Sequence, residues 1–287
     1  MKRITALLKK CKNGEDERDH RLRVEEWLRS AIDIDIDYLA NIILFVSIFI
    51  GIWYLLYLLE VWPHYLLPSP IQVVLRLIRL VADGVLIYGI SITLLRLIVG
   101  FIIAVVIGIA LGLAMVTFKE FGKVMNSICL GLLSFPSIAW IPFSILLIGF
   151  NDYGILFVIV MSSLFSMAMA TYSGIRNIPP IYIKAARNMG SRGISLFKYV
   201  MIPAATPSLI AGIRQVWSFA WHAAIGAEML MATIGLGAIL MFGREFQNME
   251  QVIASMITIF VVGLLTDRLL FVKLEERIRY RWGLQHN

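Results

Sequence analysis

The stretch ITLLRLIVGFIIAVVIGIALGLAMVT, residues 92–117, decides the fold class, because one charged residue, Arg96, interrupts an otherwise apolar run. About 20 consecutive apolar residues suffice for a helix to cross the hydrocarbon core of a bilayer. Small residues recur at every fourth position along this stretch: Gly100, Ala104, Gly108 and Gly112. In lipid, such a stripe lets two helix backbones approach closely. The stretch therefore predicts a transmembrane helix that packs tightly on another helix, of this chain or of a second one.

Working outward, five more apolar stretches are separated by polar or proline-containing segments. The six predicted spans cover approximately residues 39–59, 92–117, 124–150, 153–172, 207–231 and 252–271. Pro136 and Pro142 are expected to interrupt the third span, and a glycine-rich loop with Gly235, Gly237 and Gly243 is expected after the fifth. Residues 71–82 predict an amphipathic helix with Val73, Val74, Leu77 and Ile78 on one side and Arg76 and Arg79 on the other. The composition agrees, since 59% of the residues are hydrophobic and 16% are charged, with a mean hydropathy of +0.81. A soluble domain is about 45–50% apolar and about 25% charged. The sequence predicts an all-α, polytopic membrane protein with six transmembrane helices.

The predicted spans divide the chain into three parts. Residues 39–272 form the six-span domain, and residues 273–287 form a basic tail. Residues 1–38 are polar and basic, with apolar residues at helical spacing at Val24, Trp27, Leu28 and Ile32. This N-terminal segment is either an amphipathic helix on the membrane surface or a solvated tail.

The distribution of positive charge predicts the orientation. The net charge is +7, and most lysines and arginines lie in segments that six spans would place on one side: 1–38, 118–123, 173–206 and 273–287. The opposite segments carry Arg76, Arg79 and Arg244. Cytoplasmic loops carry the excess of lysine and arginine, so both termini are expected in the cytoplasm. The sequence has no basic patch with interleaved aromatic residues, so nucleic-acid binding is not predicted.

Several chemical functions are not predicted. Cys11 lies in the charged N-terminal segment and Cys129 in an apolar span. Neither a disulfide framework nor a metal-ligand spacing is therefore predicted. No nucleophile, base and orienting group occur together, so no catalytic residue is assigned. Gly122-Lys123 is followed by Val124 without the earlier glycine of a phosphate-binding loop. An ion-coupled secondary transporter remains an alternative, although the chain shows no internal repeat of the kind common in that class.

A long polar segment between the fourth and fifth spans reads SGIRNIPPIYIKAARNMGSRGISLFKYVMIPAATP, residues 173–207. Pro179 and Pro180 open it, Pro203 lies near its end, and two short helical patterns meet at Gly190. It is too long for a simple connection. We expect the 173–206 loop to form a compact pair of helices on the cytoplasmic face. Alternatively, the loop packs only on its own protein.

The spacing within this loop resembles the membrane-spanning subunits of ABC importers of the binding-protein-dependent kind. Their signature is Glu-Ala-Ala, three residues, Gly, nine residues, and then Ile-x-Leu-Pro. The matching positions, which the resemblance assigns to contact with an ATPase, are Lys184, Ala185, Ala186, Gly190, Val200, Ile202 and Pro203. Lys184 departs from the pattern, because the family has an acidic residue at that position.

Other segments are similar to one branch of this family, the importers of nitrate, sulfonates and taurine, with bicarbonate and thiamine-precursor importers nearby. These segments are Leu67-Pro68-Ser69-Pro70, Pro136 to Pro142, Gly226 to Leu230, and Gly235-Leu236-Gly237. The resemblance implies import of a small anion across a bacterial or archaeal cytoplasmic membrane. A permease for a heterocyclic vitamin precursor is the alternative within the class.

The resemblance also implies partners and a mechanism. Two permease subunits in the lipid, expected to be a homodimer, would pair with two ATPase subunits. ATP and Mg²⁺ would bind to the ATPase subunits, and no cofactor is expected on this chain. A substrate-binding protein would deliver the ligand from outside. Closure of the ATPase pair would push the 173–206 loops and switch access to the pathway.

Polar residues within the spans are candidates for the substrate pathway, since ionisable groups are costly there. The candidates are Arg96, Arg214, Trp221, His222 and Glu228. For Arg96 the alternative is that its side chain extends to the membrane surface. For the other ionisable residues it is a structural contact or ion pair. Neutral hydrogen bonds could come from Ser134, Ser137, Asn151 and Ser163.

Overall fold

The structure is a computed structural model that describes residues 36–232 and 234–272. All regular structure in these residues is helical, which confirms the all-α prediction. In chain order the helices are α1 Ile36–Leu58, α2 Pro70–Ala82, α3 Val85–Thr117, α4 Lys119–Leu133, α5 Trp140–Leu147, α6 Asp152–Arg176, α7 Pro180–Asn188, α8 Gly193–Leu196, α9 Ile202–Met231, α10 Leu236–Glu245 and α11 Met249–Asp267. A short 3₁₀ helix, Ser137–Ala139, precedes α5, and π-helical turns follow α8 and α11. The predicted N-terminal amphipathic helix, Cys11 and the basic tail lie outside the described residues.

Four helices are long and apolar enough to cross a membrane, namely Ala40–Leu58, Val85–Thr117, Asp152–Arg176 and Met249–Phe271. Two further pairs pass the same criteria together but are bent. The axis turns by 95° between α4 and Ser137–Leu147, and by 44° between α9 and α10. If each bent pair is one span, the count is the predicted six.

Two details of the predicted spans are wrong. The third span was expected to be interrupted at both Pro136 and Pro142, but Pro142 lies in the first turn of α5. A proline fits there because the backbone N–H groups of a first turn have no partner within the helix. Residues 235–243 were expected to be a glycine-rich loop, whereas Gly237 and Gly243 lie within α10.

The chain divides into two units, residues 1–64 and 65–287. In the first unit, α1 has a mean hydropathy of 2.2 over Ala40–Leu58. Beyond the end of α1, His64 lies 3.3 Å from the Glu60 carboxylate and packs against the ring of Tyr57.

The core of the second unit is the pair α3 and α6. The predicted stripe on α3 is fully buried, and its partner is α6 of the same chain. A Cβ atom on Gly108 would lie 2.6 Å from the Met167 Cβ, and one on Gly112 would lie 2.5 Å from the Thr171 Cβ. Small residues here allow the close approach that provides van der Waals packing between helices in lipid.

Helix α6 packs on α9 with its other side. A Cβ atom on Gly212 would collide with the Ala170 Cβ, and one on Gly174 would lie 3.2 Å from the Ser208 Cβ. Therefore α6 lies between α3 and α9 and positions both.

Helix α2 begins with a capping box. The Ser69 hydroxyl accepts from the backbone N–H of Gln72, and the Gln72 side chain accepts from that of Ser69. The sequence predicted Arg76 on the side of α2 opposite Val74 and Ile78. Those two apolar side chains are more than half exposed, whereas Arg76 is partly buried and donates to Gln251 of α11 across 2.6 Å. Apolar residues of a membrane protein can face lipid, and the packed side of α2 carries Arg76 together with the buried Val73 and Leu80.

Candidate functional site

Arg96 lies at the centre of a polar network in the N-terminal half of α3. Its Nη1 atom is 2.8 Å from Glu228 Oε1 of α9 and 2.6 Å from the Ile234 carbonyl oxygen. Its Nη2 atom is 2.6 Å from Asp152 Oδ1, and its Nε atom is 3.1 Å from the same oxygen. The guanidinium of this α3 residue therefore contacts α6, α9 and the turn that follows α9.

Glu228 is fully buried and receives hydrogen bonds from three sources. Besides Arg96, the Thr93 hydroxyl lies 2.8 Å from Oε2, and the Gly237 backbone N–H donates to the same oxygen across 3.1 Å. The Thr93 hydroxyl in turn accepts from the Leu236 backbone N–H at 2.9 Å. The carboxylate is thus satisfied by protein donors, as a charge in a low-dielectric environment requires.

Two glycines make room for this carboxylate. Gly235 has φ +141°, and a Cβ atom there would lie 2.5 Å from Glu228 Cδ. A Cβ atom on Gly237 would lie 2.5 Å from the Ile225 carbonyl oxygen. The α9–α10 turn can wrap the carboxylate because both positions lack a side chain.

The predicted pathway residues Arg96 and Glu228 are therefore brought together, and each is the other's partner. Thr93 and Asp152, which complete the network, were not predicted from the sequence. Thr93 was recognisable because it lies one helical turn before Arg96, and Asp152 because it is an ionisable residue that directly precedes the predicted span 153–172. A role of Arg96 or Glu228 in substrate contact stays a prediction.

Arg214 is engaged by a carboxylate of a neighbouring helix. Its Nε and Nη2 atoms lie 3.0 and 2.7 Å from the two carboxylate oxygens of Asp267 in α11. Such a two-point contact fixes the orientation of both groups. A structural ion pair was the alternative expected for Arg214, but its partner Asp267 was not predicted.

The predicted residues Trp221 and His222 line a cavity of about 500 Å³ between α9, α10 and α11. Its walls are mainly apolar, from Ile225, Leu240, Met256, Ile259 and Phe260, with Ser218 and Asp267 as polar members. Trp221 is largely buried, whereas His222 is exposed. The lining of this open space is therefore chiefly apolar.

His222 also lines a second cavity, of about 370 Å³, on the other side of α9. Here the walls come from α6, α9 and the 95° bend between α4 and α5. Hydroxyl groups of Ser134, Ser137 and Ser162 and the ring of Trp140 contribute to the lining. The Ser162 Oγ atom is buried and has no hydrogen-bond partner among the described residues. The second cavity therefore offers neutral hydrogen-bond donors beside aromatic rings.

Of the other neutral candidates, Asn151 caps α6. Its Oδ1 atom accepts from the Gly154 backbone N–H at 3.0 Å, and its Nδ2 atom donates to the Ile148 carbonyl oxygen. Ser163 is fully buried, and its Oγ atom has no partner among the described residues. Ser162, which does line a cavity, was missed because consecutive residues of a helix point in different directions and the sequence alone did not identify the relevant one.

The 173–206 loop contains two short helices, α7 and α8, divided at Gly190 as predicted. Gly190 has φ +85°, with open space around its Cα. Its N–H donates to the Arg187 carbonyl oxygen, and the Ser191 N–H donates to that of Ala186. This is the Schellman pattern that ends a helix and needs a left-handed residue after the cap. Gly190 is thus required for its backbone conformation.

The predicted ATPase-coupling residues occupy different environments within this loop. Lys184 and Ala185 are exposed, and Ala186 is buried. Val200 is partly buried in the π-helical turn, and Ile202 is 40% exposed at the start of α9, where Pro203 lies in the first turn. Their contact with an ATPase stays a prediction.

The inner side of the loop is anchored to the helices. Ile175, Ile178 and Ala205 form a buried cluster against which Leu113, Val116, Ile183, Phe197 and Met201 pack. The loop therefore rests on the adjoining ends of α3, α6 and α9, so a force on α7 can reach three spans.

Comparison with known proteins gives a consistent result. The family described as binding-protein-dependent transport system inner membrane component matches residues 104–280. A putative ABC transporter permease of Methanocaldococcus jannaschii is 32% identical over 190 residues, which are 66% of this chain and 71% of that protein. A putative aliphatic sulfonates transport permease of Bacillus subtilis is 29% identical over 82% of this chain and 85% of its own length.

Two further likenesses extend this result. A nitrate import permease of Synechocystis is 28% identical over 70% of this chain and 77% of its own length. The methionine ABC transporter MetNI, solved in an inward-facing conformation, matches with a TM-score of 0.59 and 17% identity. The match covers 69% of this chain and 97% of that one, and it supports the fold alone.

Proposed function

Because the chain belongs to the family of binding-protein-dependent transport system inner membrane components and is therefore a transport permease, we propose that it imports a small anion. The anion would be nitrate, a sulfonate such as taurine, or bicarbonate. The observation that carries this proposal is the likeness to permeases named for aliphatic sulfonates and for nitrate, over most of the chain. The second cavity adds support, since the Ser137 and Ser162 hydroxyls of its lining can donate hydrogen bonds to anionic oxygens, whereas the Ser134 hydroxyl donates to the Leu130 carbonyl oxygen.

The proposed pathway follows α9. Trp221 and His222 line the first cavity, and His222 with Ser134, Ser137 and Ser162 lines the second. Neutral donors can hold an anion weakly enough for its release, as transport through a pathway requires. In this proposal Arg96 with Glu228, and Arg214 with Asp267, position helices around the pathway.

The proposed orientation places the 173–206 loop and both termini in the cytoplasm. The cations at the loop end of the second unit are Lys119, Lys123, Arg176, Lys184, Arg187, Arg192, Lys198 and Arg268, accompanied by Glu120 and by Asp267, which pairs with Arg214. The opposite end holds Asp83, Asp152, Glu245 and Glu250 with Arg76, Arg79 and Arg244. This asymmetry is the one expected of a cytoplasmic loop end.

The proposed assembly contains two copies of this permease, two ATPase subunits that bind ATP and Mg²⁺, and a substrate-binding protein outside. It would operate in a bacterial or archaeal cytoplasmic membrane. The anchoring of α7 on three helix ends supports coupling by rigid-body motion. The relatives described above lend no support to the alternatives of a heterocyclic vitamin precursor or an ion-coupled secondary transporter.

The proposal is tested by reconstituting the permease with the ATPase and substrate-binding protein encoded beside its gene. Uptake of radiolabelled taurine, nitrate and bicarbonate into vesicles is measured with and without internal ATP. We expect ATP-dependent uptake of one anion and none when the ATPase subunit is omitted. Uptake that is independent of ATP and driven by an ion gradient would overturn the importer proposal. ATP-dependent uptake of thiamine precursors alone would overturn the anion proposal.

A further inference from the structure

We propose that the 173–206 loop is a cationic docking surface, and that the groove of its ATPase partner presents carboxylates to Lys184 and Arg187. The inference rests on the proposed function, because it specifies the chemistry of the partner that the permease needs. It adds that the contact is electrostatic, with the permease as the positive side.

The charge of this region is entirely of one sign. Between Asp152 and Glu228 the sequence contains no aspartate or glutamate. The loop itself carries only basic charged residues: Arg176, Lys184, Arg187, Arg192 and Lys198. A cytoplasmic location accounts for an excess of lysine and arginine in a loop. A loop of this charge would in addition attract a partner of opposite charge over several ångströms.

Three of these cations are displayed outward. Lys184, Arg187 and Arg192 are exposed, and within the described residues they form no ion pair. Arg176 differs, because its Nη1 atom donates to the Tyr172 hydroxyl across 2.8 Å and its guanidinium stacks near that ring. Arg176 is thus engaged within the chain, and the docking charge resides on α7 and on Arg192, which directly precedes α8.

Large apolar side chains accompany the cations on α7. Ile181 is 70% exposed, Tyr182 is 56% exposed, and Met189, just beyond the helix, is 87% exposed. Ile181, Lys184 and Ala185 lie at i, i+3 and i+4 and so share one face. Exposed apolar residues surrounded by charge are typical of an interaction site, with an apolar centre and a polar rim.

The opposite side of the loop explains why α7 can present this face rigidly. Ala186 is buried, and Ile183 packs with Phe197 and Met201 on the cluster of Ile175 and Ala205. The exposed face is therefore held by its own scaffold and needs no partner to form. A preformed surface of this kind loses little conformational entropy on binding.

An ATPase subunit is the occupant that the observations favour. The family works with a separate ATP-hydrolysing chain, and the 173–206 loop is the largest structured segment between spans at this end of the described residues. Lys184 also occupies the position at which the family signature has an acidic residue. A partner complementary to Lys184 must carry the reverse of the charge that would complement a glutamate.

The test measures how much ATPase subunit remains bound to tagged permease in detergent as NaCl is raised from about 50 to 500 mM, which shortens the screening length from about 14 to about 4 Å. Wild type is compared with Lys184→Glu and with Arg187→Glu. The matched control is Lys119→Glu, which makes the same charge change at an exposed position outside the loop.

We expect wild-type retention to fall with salt, and Lys184→Glu to reduce low-salt retention about tenfold because like charges would then oppose each other. Lys119→Glu should retain the ATPase as wild type does. Suppose that the ATPase is retained, but that neither salt nor Lys184→Glu weakens its retention beyond that of the control. The proposal that the ATPase groove presents carboxylates would then be wrong, while the importer proposal would stand. If wild type retains no ATPase at any salt concentration, the proposed function itself fails.

A second experiment tests whether the loop cations bind anionic lipid headgroups instead of the ATPase subunit. Transport by Lys184→Glu is compared in vesicles of phosphatidylcholine alone and in vesicles with anionic phosphatidylglycerol. The proposal expects the same loss in both. A loss confined to the anionic vesicles, with normal ATPase retention, would show that lipid headgroups bind these cations and would overturn the proposal.

Discussion

Arg96 Nη1 lies 2.8 Å from Glu228 Oε1, so a single ion pair joins α3 to the end of α9. The same guanidinium contacts Asp152 at the start of α6 and the carbonyl of Ile234 in the turn before α10. Three helices and one turn are connected through one side chain. An ion pair that is buried in this way stabilises little by itself, but the loss of one partner leaves an uncompensated charge.

The first prediction concerns the removal of Glu228, after which Arg96 keeps only the largely exposed Asp152 as its counter-charge. Replacing Glu228 with glutamine should destabilise the permease by about 3 kcal/mol, because the buried guanidinium loses its buried counter-charge. The measurement is the temperature at which the detergent-solubilised protein loses its monodisperse chromatographic peak. Asp152→Asn is the matched control, since the Asp152 side chain is 69% exposed and its pair with Arg96 is partly screened. We expect it to cost less than about 1 kcal/mol. Equal effects of the two substitutions would contradict the assigned difference in burial.

The second prediction concerns the turn that wraps Glu228. Gly235→Ala should disturb the turn, because the new Cβ atom would lie 2.5 Å from Glu228 Cδ and the backbone has φ +141°. The expected result is lower thermal stability and loss of transport. Gly226→Ala is the control, since a Cβ atom there meets nothing within 4 Å and α9 would gain helix propensity. If Gly235→Ala were as stable as Gly226→Ala, the close approach of turn and carboxylate would be wrong.

The third prediction separates packing from propensity in the α3–α6 pair. Gly108→Ala should destabilise by about 1–3 kcal/mol, because its Cβ would meet the Met167 Cβ at 2.6 Å and the Leu164 carbonyl at 2.8 Å. A Cβ atom on Gly131 of α4 would meet nothing within 4 Å, so Gly131→Ala should leave the stability unchanged or raise it. Thermal unfolding in one detergent compares the two variants. A stabilising Gly108→Ala would contradict the packing of α3 against α6.

The sequence predicted those parts of the fold that depend on local pattern. Apolar length predicted the spans, and the four-residue spacing of small residues predicted the packed face of α3. Gly190 between two amphipathic patterns predicted the division of the 173–206 loop. Each of these signals lies within a few neighbouring residues, where helical geometry alone relates position to direction.

The parts that failed depend on residues distant in the chain. Glu228 and Arg96 were both noticed, but their pairing spans 132 positions and required the α3, α6 and α9 packing to be known. Gly237 was placed in a loop because glycine usually interrupts a helix. Its actual role is to pass close to the Ile225 carbonyl and the Glu228 side chain. Tertiary contacts of this kind override local propensity.

The fourth prediction tests why glycine occupies position 190. Gly190→Asn should retain most ATP-dependent transport, because asparagine tolerates the left-handed conformation, whereas Gly190→Val should lose most of it. The open space around Gly190 means that side-chain size is not the limiting factor. Transport and ATPase retention are measured for both variants. If valine and asparagine behaved alike, the positive φ of +85° would not be what the loop requires.

The fifth prediction separates substrate contact from helix positioning. Ser162 Oγ is buried beside the second cavity without a partner among the described residues, so Ser162→Ala should leave stability unchanged or slightly improved. If the anion accepts a hydrogen bond from Ser162, its loss should raise the KM for transport about 3–10-fold, which corresponds to about 0.7–1.4 kcal/mol. ATPase activity without substrate should not change.

The matched control is Ser91→Ala, which removes an exposed hydroxyl of α3 that donates to its own Ile87 carbonyl. It should alter neither KM nor stability. A second comparison uses His222→Phe, which should raise KM in the same direction because His222 lines both cavities. A Ser162→Ala permease with normal KM, together with a normal His222→Phe, would place the pathway elsewhere. A rise in KM for both, with unchanged thermal stability, would assign the anion to the cavity beside the bend between α4 and α5.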